Sequence, residues 1–205
     1  EILFGIIMAG GRGTRLMPLT AKRPKPMVPV LGRPVIDYVK DAMVAAGLSQ
    51  IIVTTGYQGE QLIDHVATWD VSSRVNQEDS PMGTAGSVRL LSNELKETFV
   101  VGSGDSVASF DIADLLESHR KSGAKVTMAL WRVDDPTEFG IVGLANENQG
   151  EVDSELTEGY ISRFKEKPTA DEAFSNLINA GLYIIEPEVM ELIPPGEKYD
   201  FSKQL

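Results

Sequence analysis

Along the chain, the spacing of apolar positions shifts from the rhythm of strands to that of helices and back. Residues 2–8 are an apolar run, the pattern of a buried strand. Residues 35–46 carry Ile36, Val39 and Met43 at helical spacing with Gly47 as a stop. A β-branched run at 51–55 predicts a strand, 59–67 a short helix, 74–77 a strand, 84–91 a helix and 99–101 a strand ending at Gly102-Ser103-Gly104-Asp105. Asp111 reads as the N-cap of a helix through 122, with Asp114 three residues on and Gly123 behind it. A strand at 125–131 follows.

This alternation predicts an α/β fold, a Rossmann-like, mostly parallel mixed sheet with helices on both faces. Ligands then belong at the C-terminal ends of the strands. The second half is richer in strands, at 140–144, 160–164 and 178–185. Between the first two, residues 147–158 hold five acids and no base, the composition of a solvated hairpin tip. One domain over 1–205 is the simplest organisation for a chain of 205 residues.

Charge changes that picture by locating an anion site. The net charge is −11, yet residues 1–40 carry seven basic and two acidic side chains. A positive segment on an acidic body suits a small anionic substrate. It argues against nucleic acid, which needs a broad basic face, and against an anionic membrane surface. There is no cysteine, so disulfides and thiolate metal sites are excluded, in keeping with a cytoplasmic protein. The apolar start is too short to span a membrane and has no basic stretch before it. The residues leave the oligomeric state, a homo-oligomer included, open.

The positive segment follows the first strand. Gly10, Gly11 and Gly13 release the chain into a loop of exposed backbone N–H groups, a geometry that can nest anions. Arg12, Arg15, Lys22, Arg23 and Lys25 crowd five cations into it, and prolines at 18, 24, 26 and 29 stiffen it. It is not a P-loop, since no window supplies that motif. It is not a dinucleotide fingerprint either, since the third glycine would fall on Leu16. A polyphosphate site of another kind is implied.

The run Gly-Gly-Arg-Gly-Thr-Arg-Leu-Met-Pro-Leu-Thr, followed by Pro-Lys-Pro-Met-Val-Pro-Val, resembles the signature of the sugar-1-phosphate nucleotidylyltransferases. Gly83-Thr84-Ala85-Gly86, Gly104-Asp105, Phe139-Gly140, Glu166-Lys167-Pro168 and Asn179-Ala180-Gly181 are similar to later segments of that family, so the resemblance spans the chain. It implies the nucleotide-diphospho-sugar transferase fold. It also implies that Lys25 lies on the nucleotide's α-phosphate, Arg15 on the departing pyrophosphate and Lys167 on the sugar phosphate. Gly11, Arg12, Gly13 and Thr14 would hold phosphates. Ala9, Gly10, Gln77, Gly83 and Thr84 would form the base pocket, where Gln77 offers a base edge both a donor and an acceptor. Glu166 would accept from sugar hydroxyls, and Gly140, Asn179 and Gly181 would complete that pocket. Asp105 would bind Mg²⁺, which favours one or two carboxylates with phosphate oxygens and water.

The family's second metal aspartate lies in a Trp-x-Asp-like segment, and no tryptophan follows Trp131. The expectation is therefore a catalytic domain truncated at its C-terminal end. The implied reaction joins a nucleoside triphosphate to a sugar 1-phosphate, giving an NDP-sugar and pyrophosphate. Gly-Thr-Ala-Gly after Gln77 resembles the mannose-1-phosphate guanylyltransferases, with dTTP or UTP and glucose 1-phosphate as competitors. A non-catalytic sugar-nucleotide-binding paralogue is the rival of another class, disfavoured because Arg15, Lys25, Asp105 and Lys167 all stand. His65 and His119 read as helix residues without a chemical role, and Trp69 and Trp131 as core or rim packing.

Overall fold

A computed structural model describes residues 3–10, 27, 29–56, 59–78, 80, 82–104 and 111–199. In chain order the elements are β1 (Phe4–Met8), β2 (Pro29–Val30), β3 (Arg33–Pro34), α1 (Val35–Ala45), β4 (Gln50–Thr55), α2 (Gly59–Val66), β5 (Ser72–Gln77), α3 (Gly83–Arg89) and β6 (Phe99–Ser103). There follow α4 (Ile112–Ser122), β7 (Val126–Arg132), β8 (Gly140–Ala145), β9 (Tyr160–Glu166) and β10 (Leu177–Ile185). The chain forms two compact units, one of Glu1–Thr127 with Gly181–Leu205 and one of Met128–Ala180. β10 contributes to both.

In the first unit the strand order is β5-β4-β1-β6-β10. The first four strands are parallel, and β10 closes antiparallel with Leu182–Ile185 opposite Phe99–Gly102. Ile6, Ile7, Val53, Val100 and Val101 are completely buried, as apolar runs in a covered parallel sheet must be. Gly5 and Gly102 are notches for helix α1. A Cβ on Gly5 would lie 2.7 Å from Met43 Sδ, and one on Gly102 would lie 3.1 Å from Met43 Cε. One fully buried methionine thus fills the space of two missing side chains and brings α1 close to the sheet.

The helix ends follow local chemistry. Asp111 caps α4 by accepting from the Asp114 N–H at 3.1 Å, and Gly123 ends it at φ +67. In α1 the carboxylate of Asp37 accepts from His65 Nε2 at 2.6 Å and from Trp69 Nε1 at 3.1 Å, tying α1 to α2 and the turn after it. His119, only 2 % exposed, joins Thr127 Oγ1 at 2.6 Å and Glu186 Oε1 at 2.8 Å. Both histidines are thus structural ties. Trp131 is half exposed, a rim position.

The second unit is an antiparallel arrangement of β8, β9 and the start of β10. Val142, Leu144 and Leu177 form its core with Met128, Leu130 and Leu156. The acidic connector between β8 and β9 is less detached than its composition suggests. Its glutamates are exposed, but Asp153 N–H donates to Leu144 O at 2.8 Å and Leu156 packs onto the core. Among the described residues no helix is long and apolar enough to cross a membrane.

The Met43 notch has a measurable signature. Gly5→Ala should cost roughly 1–3 kcal/mol, as overpacking does. In a urea-denaturation cycle with Met43→Ala the double variant should lose less than the sum of the singles, because the smaller side chain vacates the contested space. Additive losses would mean that the two positions do not compete.

Candidate functional site

Parallel pairing brings the C-terminal ends of four strands of the first unit into line. Gln77 pairs with Thr55, and Met8 pairs with both Thr54 and Ser103. Backbone bonds continue past the strand ends. Ala9 N–H donates to Thr54 O at 2.8 Å, Glu78 N–H to Thr55 O at 2.7 Å and Gly104 N–H to Met8 O at 2.8 Å. The Thr55 hydroxyl donates to Ala9 O at 3.2 Å. Ala9 is therefore buried and doubly held, while Gly10 is exposed with open space where a Cβ would stand.

Gly11, Arg12, Gly13, Thr14, Arg15, Lys25 and Asp105 lie outside the described residues. The flanks of their segments are described. Gly104, the residue before Asp105, is buried and held on the end of β1. After the segment that carries Lys25, the β2–β3 hairpin is anchored on α1. Tyr38 Oη donates to Val30 O at 2.6 Å, and Arg33 bridges Asp41 at 2.8 Å and Asp37 at 3.6 Å. Leu31 and Gly32 at its turn have φ +51 and +81, the left-handed pair of a tight hairpin.

At the base end, Gln77 is exposed and its amide lies against Gly59, where a Cβ would come within 3.1–3.3 Å of it. Gly83 opens α3 at φ +74, a backbone conformation that favours glycine. Its carbonyl accepts from Ser87 Oγ at 2.8 Å, and the N–H groups of Ala85 and Gly86 both donate to Tyr199 O. A Cβ on Gly86 would meet Glu197 O at 3.0 Å, so close packing explains a glycine inside a helix.

Glu78, one residue beyond Gln77, is a group the sequence reading passed over. Its Oε1 is buried and has no hydrogen-bond partner among the described residues. Burial pushes its carboxyl above the usual carboxylate range, partly offset by the Ser87 hydroxyl. The only available signal was a carboxylate immediately past a strand's C-terminal end.

In the second unit the predicted sugar residues fall into register. Gly140 pairs with Glu166, and Ile178 with Ile141, so that Asn179 is opposite Gly140. Asn179, Gly140 and Glu166 thus form one row across three strands, on one face. A Cβ on Gly140 would lie 2.8 Å from Glu166 Oε2 and 2.7 Å from Phe164 Cζ. Gly181, in the first unit, has φ +76, and a Cβ on it would lie 3.4 Å from Ser103 Cβ.

The charges of β9 are divided between neighbours. Lys165 pairs with Glu172 at 2.8 Å, and Glu172 also accepts from Thr169 N–H at 3.1 Å, which together hold its carboxyl down to about 2. Lys167 is exposed, has φ +40, donates its N–H to Phe139 O at 2.9 Å, and has no ion-pair partner among the described residues. A non-glycine residue in that region marks stored strain, which concentrates at functional positions.

Residues 4–205 match the family described as Nucleotidyl transferase. The chain belongs to the nucleotidyl transferase family. Mannose-1-phosphate guanyltransferase of Eremothecium gossypii is 36 % identical over 196 residues, 92 % of this chain and 51 % of the relative. The Saccharomyces cerevisiae protein of that name is 35 % identical with the same coverage. The chain spans about half the length of these curated relatives. Among solved structures, a Bacillus anthracis protein assigned as a glucose-1-phosphate thymidylyltransferase and crystallised with sucrose matches at 27 % identity and TM-score 0.76, covering 94 % of this chain and 76 % of that one. UDP-glucose pyrophosphorylase of Acinetobacter baumanii shares the fold at TM-score 0.79 and 22 % identity, covering all of this chain and 81 % of its own. The nucleotidyl transferase fold is thus the mixed, mostly parallel sheet expected from the alternation of elements.

The row also makes a prediction. Gly140→Ala should displace the Phe164 ring and the Glu166 carboxylate, both ends of side chains that can give way. Stability should change by less than about 1 kcal/mol. A crystal structure of the variant with both groups unmoved would show that they do not share the space.

Proposed function

We propose that the chain catalyses guanylyl transfer from GTP to mannose 1-phosphate, releasing pyrophosphate. The observation that carries the nucleotide and sugar is the 35–36 % identity to relatives named mannose-1-phosphate guanyltransferase, and Glu78, a carboxylate just past the end of β5, is the group proposed to read the base edge. Guanine presents a ring N–H and an amino group side by side, and an ionised carboxylate accepts from both. Uracil and thymine present a single N–H between two carbonyls, which suits an amide better. The names of the curated relatives support the same nucleotide and sugar.

A sugar-phosphate oxygen, already anionic at neutral pH, attacks the α-phosphorus. The bond to the bridging oxygen breaks, and its electron pair leaves with pyrophosphate. No proton needs to be taken up, so the chain's task is positioning and charge neutralisation. Lys25 neutralises the α-phosphate, Arg15 the departing pyrophosphate and Lys167 the sugar phosphate. Gly11, Arg12, Gly13 and Thr14 hold the phosphates. Ala9, Gly10, Gln77, Gly83 and Thr84 surround the base, with Glu78 reading its edge. Glu166, Asn179 and the backbones of Gly140 and Gly181 hold the sugar.

Among the described residues no group of three or more His, Cys, Asp or Glu side chains could hold a metal. One carboxylate completed by phosphate oxygens and water is a donor set that Mg²⁺ accepts, and Asp105 is the residue that would supply it. Mg²⁺ bound there would neutralise charge on the triphosphate.

Steady-state kinetics test the reading. Pyrophosphate release from GTP, dTTP, UTP and ATP with mannose or glucose 1-phosphate should favour GTP with mannose 1-phosphate. Glu78→Gln should lower kcat/KM for GTP by roughly ten- to a hundredfold, as loss of a charged hydrogen-bond acceptor does. Because burial raises the Glu78 pKa, its carboxyl is neutral at lower pH and loses an acceptor. The KM for GTP should therefore rise as pH falls toward that pKa, and Glu78→Gln should flatten the dependence. A variant that uses GTP like the parent chain would refute the base assignment. Separately, Lys25→Ala should cut turnover by about 10²–10³ with the fold intact. Near-normal turnover would remove Lys25 from the mechanism.

A further inference from the structure

Phe164 has the wrong surroundings for a plain core residue. Its cross-strand partner is Val142, which is buried in the core of the second unit. The ring does not stop over Val142. It reaches along the face toward Gly140, so that Cζ and Cε2 lie 2.7 and 2.8 Å from the point where a Cβ of Gly140 would stand. That point is also 2.8 Å from Glu166 Oε2. The ring therefore adjoins the row of Asn179, Gly140 and Glu166, and 38 % of the residue remains open to solvent.

An open aromatic surface next to a carboxylate and an amide is a combination that suits a pyranose. The polar groups take hydroxyls. The C–H bonds on one face of the sugar ring, polarised by neighbouring oxygens, are attracted to the negative face of an aromatic ring. We infer that Phe164 is a substrate-contacting residue, the platform on which the sugar ring of the sugar 1-phosphate rests while Glu166 and Asn179 hold its hydroxyls. The inference rests on the sugar-phosphate assignment proposed above. On this view Gly140 lacks a side chain because a Cβ there would occupy the space of the Phe164 ring edge and the Glu166 carboxylate. Inverting one ring carbon exchanges a hydrogen and a hydroxyl between the two faces, so the platform tolerates an epimer only where the C–H bonds of the contacted face stay in place.

The test measures binding and turnover together. In proton NMR of mannose 1-phosphate and glucose 1-phosphate titrated with the wild-type chain, the ring current of Phe164 should move sugar C–H signals upfield. Phe164→Leu, which keeps apolar volume against Val142, should abolish that shift. It should raise KM for either sugar 1-phosphate by roughly three- to tenfold, leaving KM for GTP and Tm unchanged. Phe164→Tyr should keep the shift and stay within about twofold of wild type. If Phe164→Leu fails to fold, the upfield shift in wild type and its retention in Phe164→Tyr still decide. Absence of the upfield shift in wild type, or a KM for sugar 1-phosphate unaffected in a folded Phe164→Leu, overturns the inference. Wild type that shifts the sugar signals but releases no pyrophosphate would refute the transferase reading and leave the platform standing.

Discussion

The first unit depends on a ladder that does not end where its strands end. Backbone donors of Ala9, Glu78 and Gly104 reach the neighbouring strand one step beyond regular pairing. Each such bond fixes where the chain leaves its strand, and the parallel direction places all these points on one edge. An unpaired buried N–H would cost free energy comparable to a lost hydrogen bond, so these donors have little freedom to slip. Gly10, Glu78 and Gly104 therefore begin or flank the chemically loaded segments at fixed positions. Burial of the apolar strands and helix faces supplies the stability, but the ladder supplies the alignment.

The second unit reaches order differently. Antiparallel pairing puts residues from three distant stretches of sequence side by side, and the period of two separates charges that are adjacent in the chain. Lys165 faces away to Glu172, while Arg163 lies over the ring of Phe174 at 4.4 Å. Glu166 belongs to the other face. Lys167 leaves the strand in a left-handed conformation that its hydrogen bond to Phe139 O sustains. A single irregular residue thus turns the end of a regular strand into a place where a cation is presented.

Much of this was legible in the residues. The caps of α4 were readable because Asp111 and Gly123 act locally, through one side-chain bond and one backbone conformation. Strand and helix positions in the first half came within one or two residues, since buried parallel strands read as apolar blocks. The β2–β3 hairpin was hidden in a proline-rich stretch, because two-residue strands carry no period, and its anchors at Tyr38 and Arg33 lie on another element. His65, His119 and Glu78 were opaque for a related reason. Their partners, such as Asp37, Glu186 and Ser87, are brought near only by tertiary folding. The connector at 147–158 read as solvated from its charges, while the packing of Leu156 depends on a core formed elsewhere.

The shared space at positions 140 and 164 has a consequence for how such chains diverge. A side chain at 140 would share its space with the ends of two side chains on the adjacent strand, so it can be admitted only if they swing aside. The two positions are therefore epistatic, and a residue tolerated at one is defined by the occupant of the other. Homologues with a smaller residue at 164 gain room for a methyl group at 140, so the pair should co-vary. Engineering of this face by changing position 140 alone would move the ring and the carboxylate from their places, whereas a paired exchange with 164 keeps both arrangements filled.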